Sequence, residues 1–150
     1  MYRVLLDTTY ILPAFGIYVD IAPKSEIKII LEKCIEKRVT LNISEISLFE
    51  AYIKTIAVAK KKKLSDLFKK AANGIFTVIN DTTINKIGYY ELEILEIASN
   101  ILKTHNDPFD AIIFATAIVR DMLLATEDID AKKFVPSDKI LSWRDLKSMF

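Results

Sequence analysis

The 150-residue chain has one cysteine and one histidine. A single thiol, Cys34, can build neither a disulfide framework nor a thiolate metal cluster. It falls in an apolar helical pattern with Ile27, Ile30 and Leu31, the setting of a buried structural thiol rather than a nucleophile. The lone His105 is a thin basis for general-base chemistry, and a surface or packing role is expected of it. Charge of either sign is not in excess: 21 basic against 20 acidic residues leave a net +1. No global field therefore announces nucleic acid or membrane, and any nucleic-acid site must be local. No run approaches the roughly 20 apolar residues that a spanning helix needs. The apolar start carries only Arg3 as a base and breaks at Asp7, which argues against a signal peptide. A cytoplasmic protein with no membrane attachment is the expectation. Repeats, linkers and low-complexity segments are also missing, so residues 1–150 read as one domain.

What is present is an apolar chain, 51% hydrophobic and 27% charged, with enough material for a real core and a slight surplus that suggests a buried partner surface. Tyr2 to Leu6 is a short apolar run ending on Asp7-Thr8-Thr9, as a buried strand does when it opens onto a polar corner. Pro13, Gly16 and Pro23 punctuate a short helix and loop. Helical spacing runs from Lys24 to Arg38, and Val39 to Ile43 is a second strand. A long helix follows Ser44–Ser47 through about Lys61, then a shorter one from Ser65 to Ala72. Asn73-Gly74 reads as a helix stop, Ile75 to Ile79 as a third strand, and Asp81-Thr82-Thr83 as the start of more helix, continued from Tyr89 to Thr104. Lys139 to Leu141 is a brief strand, and Ser142 with Asp145 three residues on caps a last helix. Strands alternating with helices predict an α/β domain with a mainly parallel central sheet.

Asp107 to Asp130 organises the rest. Pro108 suits a first helical position, which makes Asp107 the N-cap and puts Asp110 in the first turn, near the positive end of the helix dipole. Ala111 to Val119 is apolar or small on every face, and Met122 to Ala125 is a short buried strand that empties into Thr126, Glu127 and Asp128. In parallel sheets the working site lies outside the carboxyl ends of the strands. Asp7 ends the first strand, Glu50 opens the helix after the second, and Asp110 and Asp128 flank the last crossover, so four carboxylates are assigned to one edge. Crowded carboxylates repel unless a cation sits among them. Oxygen donors without cysteine or paired histidine select Mg²⁺ or Mn²⁺, and such ions suit phosphodiester hydrolysis. Each acid has a local explanation too. Ser47-Leu48-Phe49-Glu50 matches a capping box, Asp7, Asp107 and Asp110 can cap helices, and Asp128 can be loop polarity.

These segments resemble, in order, those of the PIN-domain ribonucleases, including toxins of the VapC type. Leu5-Leu6-Asp7-Thr8-Thr9 looks like the opening strand and first acid, with Thr8 as its hydroxyl neighbour. Ile43-Ser44-Glu45-Ile46-Ser47-Leu48-Phe49-Glu50 resembles the second segment, its acid falling on Glu50. Asp110-Ala111-Ile112-Ile113-Phe114-Ala115-Thr116-Ala117 carries the third, and Leu123-Leu124-Ala125-Thr126-Glu127-Asp128 the last, with Thr126 as hydroxyl. The resemblance implies a PIN-like α/β/α sandwich and a Mg²⁺- or Mn²⁺-dependent endoribonuclease acting on RNA. It also implies a homodimer and a cognate antitoxin. Its pattern leaves the extra acids Asp107 and Asp130 without a role.

Lys60 to Lys63, with Lys69 and Lys70, could hold an RNA backbone, or could be a solvated helix end favoured by the dipole. Trp143 is a core or dimer contact. Two rivals stand beside the nuclease. A haloacid-dehalogenase-type phosphatase needs a second Asp two residues after the first, where Thr9 stands. A catalytically inactive scaffold that binds RNA or protein would have no reason to keep four repelling acids.

Overall fold

A computed structural model describes residues 2–149. Its first strand, β1 (Arg3–Leu6), sets the architecture. Alternation sends Val4 and Leu6 to one face and Leu5 to the other, and none of the three retains exposed surface. A strand apolar on both faces has to be covered on both. Strands β2 (Thr40–Ser44), β3 (Ile84–Ile87), β4 (Leu123–Ala125) and β5 (Ile140–Leu141) join it in the order β3-β2-β1-β4-β5, every pairing parallel.

On the Val4 and Leu6 face lie α1 (Lys24–Glu36), α3 (Ser65–Asn80), α6 (Trp143–Ser148), and Leu48 and Ala51 of α2 (Glu45–Lys62). On the Leu5 face lie α4 (Leu92–Ile101) and α5 (Pro108–Val119). The result is the expected α/β/α sandwich, with the sheet wholly parallel. Cys34 is fully buried in α1, and burial pushes its thiol up to about 11, which leaves it inert. Trp143 is buried against Tyr10, ring centroids 5.9 Å apart, so it belongs to the core. Ser142 and Asp145 form the capping box of α6.

Four sequence expectations fail for identifiable reasons. The strand expected at Ile75–Ile79 is the second half of α3, which runs through Asn80. Gly74 does not stop that helix. It lies within it because the Phe15 ring presses there, and a Cβ at Gly74 would stand 2.5 Å from ring carbons. Asp81-Thr82-Thr83 likewise starts no helix: the Asp81 carboxylate accepts from the Thr83 N–H (2.9 Å) and hydroxyl (2.5 Å), a tight turn that feeds β3. Finally, α2 begins at Glu45 with Ser44 as N-cap, so Ser47 and Glu50 lie inside the helix and form no capping box.

The Gly74 contact has a testable sign. Gly→Ala in a helix interior ordinarily gains up to about 1 kcal/mol. Here Gly74→Ala should lower the melting temperature, because overpacking of this kind costs about 1–3 kcal/mol. Pairing it with Phe15→Leu should recover part of the loss. A melting temperature raised by Gly74→Ala alone would show that the Phe15 contact is loose.

Candidate active site

The chain visits β1, β2 and β3 in one direction across the sheet and then returns to place β4 on the other side of β1. The carboxyl ends of β1 and β4 therefore flank a topological switch point, where a crevice opens by construction. Asp7 sits at its floor. Its N–H makes the last strand bond, to Ala125 O at 3.0 Å, and the backbone then turns into a short 3-10 helix that Asp7 caps. The carboxylate accepts from Thr8 N–H at 2.6 Å on Oδ1 and from the Thr126 hydroxyl at 2.8 Å on Oδ2. Thr126 also accepts from Asp128 N–H at 3.1 Å, so one hydroxyl ties the ends of both central strands together.

Glu50 arrives from α2, only 3% exposed. A buried carboxylate needs its oxygens satisfied. The Thr8 hydroxyl donates to Oε2, and Lys54, one turn on, donates to Oε1 at 2.7 Å. Burial works against the Lys54 charge, but the hydrogen bond and charge of Glu50, reinforced by Asp7 and Asp110, hold its pKa above the ordinary value.

The start of α5 supplies the next acids. Asp107 caps the helix through Oδ1, accepting from Phe109 N–H at 2.8 Å and Asp110 N–H at 3.4 Å. Asp110, in the first turn, shares Oδ2 with His105 Nε2 at 3.1 Å. Beyond β4, Asp128 caps a 3-10 turn (Ile129–Lys133) by accepting from Asp130 N–H at 2.8 Å.

The acids gather in two overlapping groups. One oxygen each of Glu50, Asp107 and Asp110 lie within 4.8 Å of one another. So do donor atoms of His105, Asp110 and Asp128. Asp110 is common to both. Asp7 joins through bonds rather than by falling in either triplet: Thr8 connects it to Glu50, and Thr126 to Asp128. Asp107, which the sequence pattern left without a role, comes into the cluster. Asp130 turns away to pair with Lys133 at 2.6 Å. His105 differs most from expectation, since it faces the acids with its ring packed against Phe114 and Phe134, centroids 5.9 and 5.6 Å away. Its position five residues before Asp110, on the turn into the acidic helix, was the available signal.

The electrostatics follow from this crowding. Asp110 is pushed up to about 6 by burial and by the charges of Asp107, Asp7 and Asp128, against the lowering bond to His105. Asp7 is raised as well, by burial first and then by Glu50, against the Thr126 and Thr8 hydrogen bonds. Burial is the larger cause in both, and the neighbouring carboxylates add to it. The donor set is mostly carboxylate oxygen, and capping bonds engage Oδ1 of Asp7, Asp107 and Asp128, so that, among the described residues, Oδ2 of Asp107 and of Asp128 takes no part in a cap. That arrangement fits a hard divalent cation.

Among solved structures, the chain is similar to VapBC2 from Rickettsia felis bound to a DNA fragment from their promoter (TM-score 0.65, 18% identity, 94% of this chain and 98% of that one). It is also similar to a toxin–antitoxin complex from Klebsiella pneumoniae (TM-score 0.54, 22% identity, 92% and 95% covered). A third is VapC20 of Mycobacterium tuberculosis, a sarcin-ricin loop cleaving toxin (TM-score 0.60, 16% identity, 87% and 93% covered). At these identities the likeness is one of fold. No curated protein matches the chain. A family model, the PIN domain, matches residues 4–135. That span contains Asp7, Glu50, Asp107, Asp110 and Asp128 with the four strands and five helices that carry them, and by it the chain belongs to the PIN domain family.

Proposed function

We propose that this protein is a Mg²⁺- or Mn²⁺-dependent endoribonuclease that hydrolyses RNA phosphodiester bonds, and that it is the toxin of a toxin–antitoxin pair. The observation that carries the reading is the gathering of Glu50, Asp107 and Asp128 around Asp110 at the sheet's switch point, with Asp7 tied to them through Thr8 and Thr126. Asp7, Glu50, Asp110 and Asp128 would hold the cation, with Asp107 beside them. A bound Mg²⁺ or Mn²⁺ supplies positive charge to a phosphate oxygen and acidity to a water molecule.

The chain's own groups do the remainder. Thr8 and Thr126 fix the rotamers of Glu50 and Asp7, so these acids need no reorganisation when substrate arrives. Lys54, about half exposed beside Glu50, offsets repulsion between the acidic crevice and a phosphate. Phe49, half exposed, packs on Phe109 at 6.4 Å, and these residues immediately precede Glu50 and Asp110. Rings at the rim suit the stacking of unpaired bases, which favours a single-stranded or looped substrate. Water attacks phosphorus, the bond to the 3′ oxygen breaks, and that oxygen takes up a proton, leaving 5′-phosphate and 3′-hydroxyl ends. The Rickettsia and Klebsiella complexes support an antitoxin partner. The sarcin-ricin loop cleaving toxin from Mycobacterium tuberculosis supports RNA as substrate. Exposed Leu92, Leu95 and Leu102 in and just beyond α4 support a homodimer. No helix is long and apolar enough to cross a membrane.

Cleavage is the central test. Purified protein with Mg²⁺ or Mn²⁺ should cut RNA internally, and chelation, Asp7→Asn or Asp110→Asn should abolish the cut. Cyclic 2′,3′-phosphate ends, or full activity in Asp110→Asn, would sink the mechanism.

Stability against pH tests the charge argument separately. Asp110 holds its proton to about 6 in the folded chain against an ordinary 3.8, so the native state binds more protons than the unfolded state between these values. Stability without metal should therefore fall as pH rises from about 4 through about 6, and Asp110→Asn should flatten that fall. Mn²⁺ should raise the melting temperature more at about pH 8 than at about pH 5, where protons compete for the same oxygens. An equal rise at both pH values, or in Asp7→Asn, would place the ion elsewhere.

Sedimentation should report a particle of twice the 17.1 kDa chain mass at micromolar concentration. A monomer would remove the homodimer from the proposal.

A further inference from the structure

The sequence leads one to expect a surface or packing role for the one histidine, yet the structure turns it toward the acids. His105 is the chain's sole histidine. Its side chain is 12% exposed, and its Nε2 lies 3.1 Å from Asp110 Oδ2. It forms a three-donor group with Asp110 and Asp128, all donor atoms within 4.8 Å. The ring is not free to swing: Phe114 from α5 meets one side in a tilted contact and Phe134 meets it edge-on. These two rings also stack on each other at 6.1 Å, so the imidazole sits in an aromatic corner whose open side faces the acids. A group needed only to cap or to solvate a loop would not require such a corner.

We propose that His105, with Asp110 and Asp128, forms a mixed nitrogen–oxygen site for a first-row divalent ion such as Mn²⁺, adjacent to the all-oxygen group of Glu50, Asp107 and Asp110. Asp110 is the carboxylate shared by the two sets. The inference rests on the reading of this crevice as a metal-dependent centre and deepens it by naming a ligand and a preference. Mg²⁺ takes oxygen donors almost exclusively, whereas imidazole suits transition ions. An imidazole in the set therefore tilts the site away from Mg²⁺. In the metal-free chain one proton lies between Nε2 and Asp110 Oδ2. Coordination through Nε2 requires that proton to leave, either to solvent or to Nδ1, and Asp110 then turns from hydrogen-bond partner to fellow ligand.

Because there is one histidine, a single spectroscopic signature identifies it. Tag-free protein loaded with Mn²⁺ should show nitrogen coupling in pulsed electron paramagnetic resonance. His105→Gln should lose that coupling and bind Mn²⁺ about 10-fold or more weakly, with a smaller loss for Mg²⁺. The wild-type spectrum alone decides the matter if the variant folds poorly. Bound Mn²⁺ without nitrogen coupling would overturn the His105 site while leaving the metal-dependent reading intact. Coupling that persists in His105→Gln would overturn it also, since the nitrogen would then belong to the backbone or to another side chain. Failure of wild type to bind Mn²⁺ at all would remove both the His105 site and the reading beneath it.

Discussion

Like charges in a half-buried crevice are the constraint on which this molecule turns. Glu50, Asp107 and Asp128 meet Asp110, Asp7 is tied to them through Thr8 and Thr126, and each would prefer water. The fold holds them by giving each a fixed donor. Asp7 has a backbone N–H and the Thr126 hydroxyl, Glu50 has Thr8 and Lys54, and Asp107 and Asp128 have the N–H groups of the turns they cap. Capping and cation binding are thus compatible duties, because a carboxylate has two oxygens and a cap uses one. Asp7 and Asp107 cap as their local explanations have it, Asp128 caps a turn where loop polarity was expected, and none of this competes with a site.

Glu50 is the acid most dependent on its surroundings. Deep burial of a lone carboxylate would cost several kcal/mol, enough to force a proton onto it. The Thr8 hydroxyl and Lys54 ammonium make the charged form tolerable, and Lys54 remains half exposed, so it serves the pair without being buried itself. That division leaves the acid buried and the base half exposed. Double-mutant analysis of Thr8 and Lys54 would measure how the two share the task.

Much of this was readable from the chain, for reasons tied to particular residues. Asp107-Pro108 announces a helix start because proline fixes φ and lacks an N–H, both harmless at that position. Leu5-Leu6-Asp7 reads correctly because a both-faces-buried strand must end where the first charge appears. Gly74 misleads because its reason is a distant ring, Phe15, that no local pattern reports. With α3 cut short there, the third strand fell nine residues early, and the Asp81 turn was read as a cap. Ser47 and Glu50 have capping-box spacing, but the helix had already begun at Glu45. The pairing of Glu50 with Lys54 at one-turn spacing was the better clue to a buried acid. His105 escaped because its meeting with Asp110 and Asp128 depends on a bend at the entrance to α5 that spacing cannot encode.

Glu127, the neighbour of Asp128, takes no part in the cluster. Its carboxylate accepts from the Trp143 backbone N–H and, at 3.4 Å, from the Tyr10 hydroxyl, while Thr126 N–H bonds Leu141 O at 2.9 Å. The strand and helix formed by residues 140–148, which lie beyond the span matched by the family model, thus act as a buttress behind the acidic loop. Damage to the buttress should disturb both the loop that carries Asp128 and the core, because Trp143 and Leu146 are buried on the Val4 and Leu6 face. A substitution in this closing segment would therefore reach the Asp128 loop from behind, with none of the acids changed.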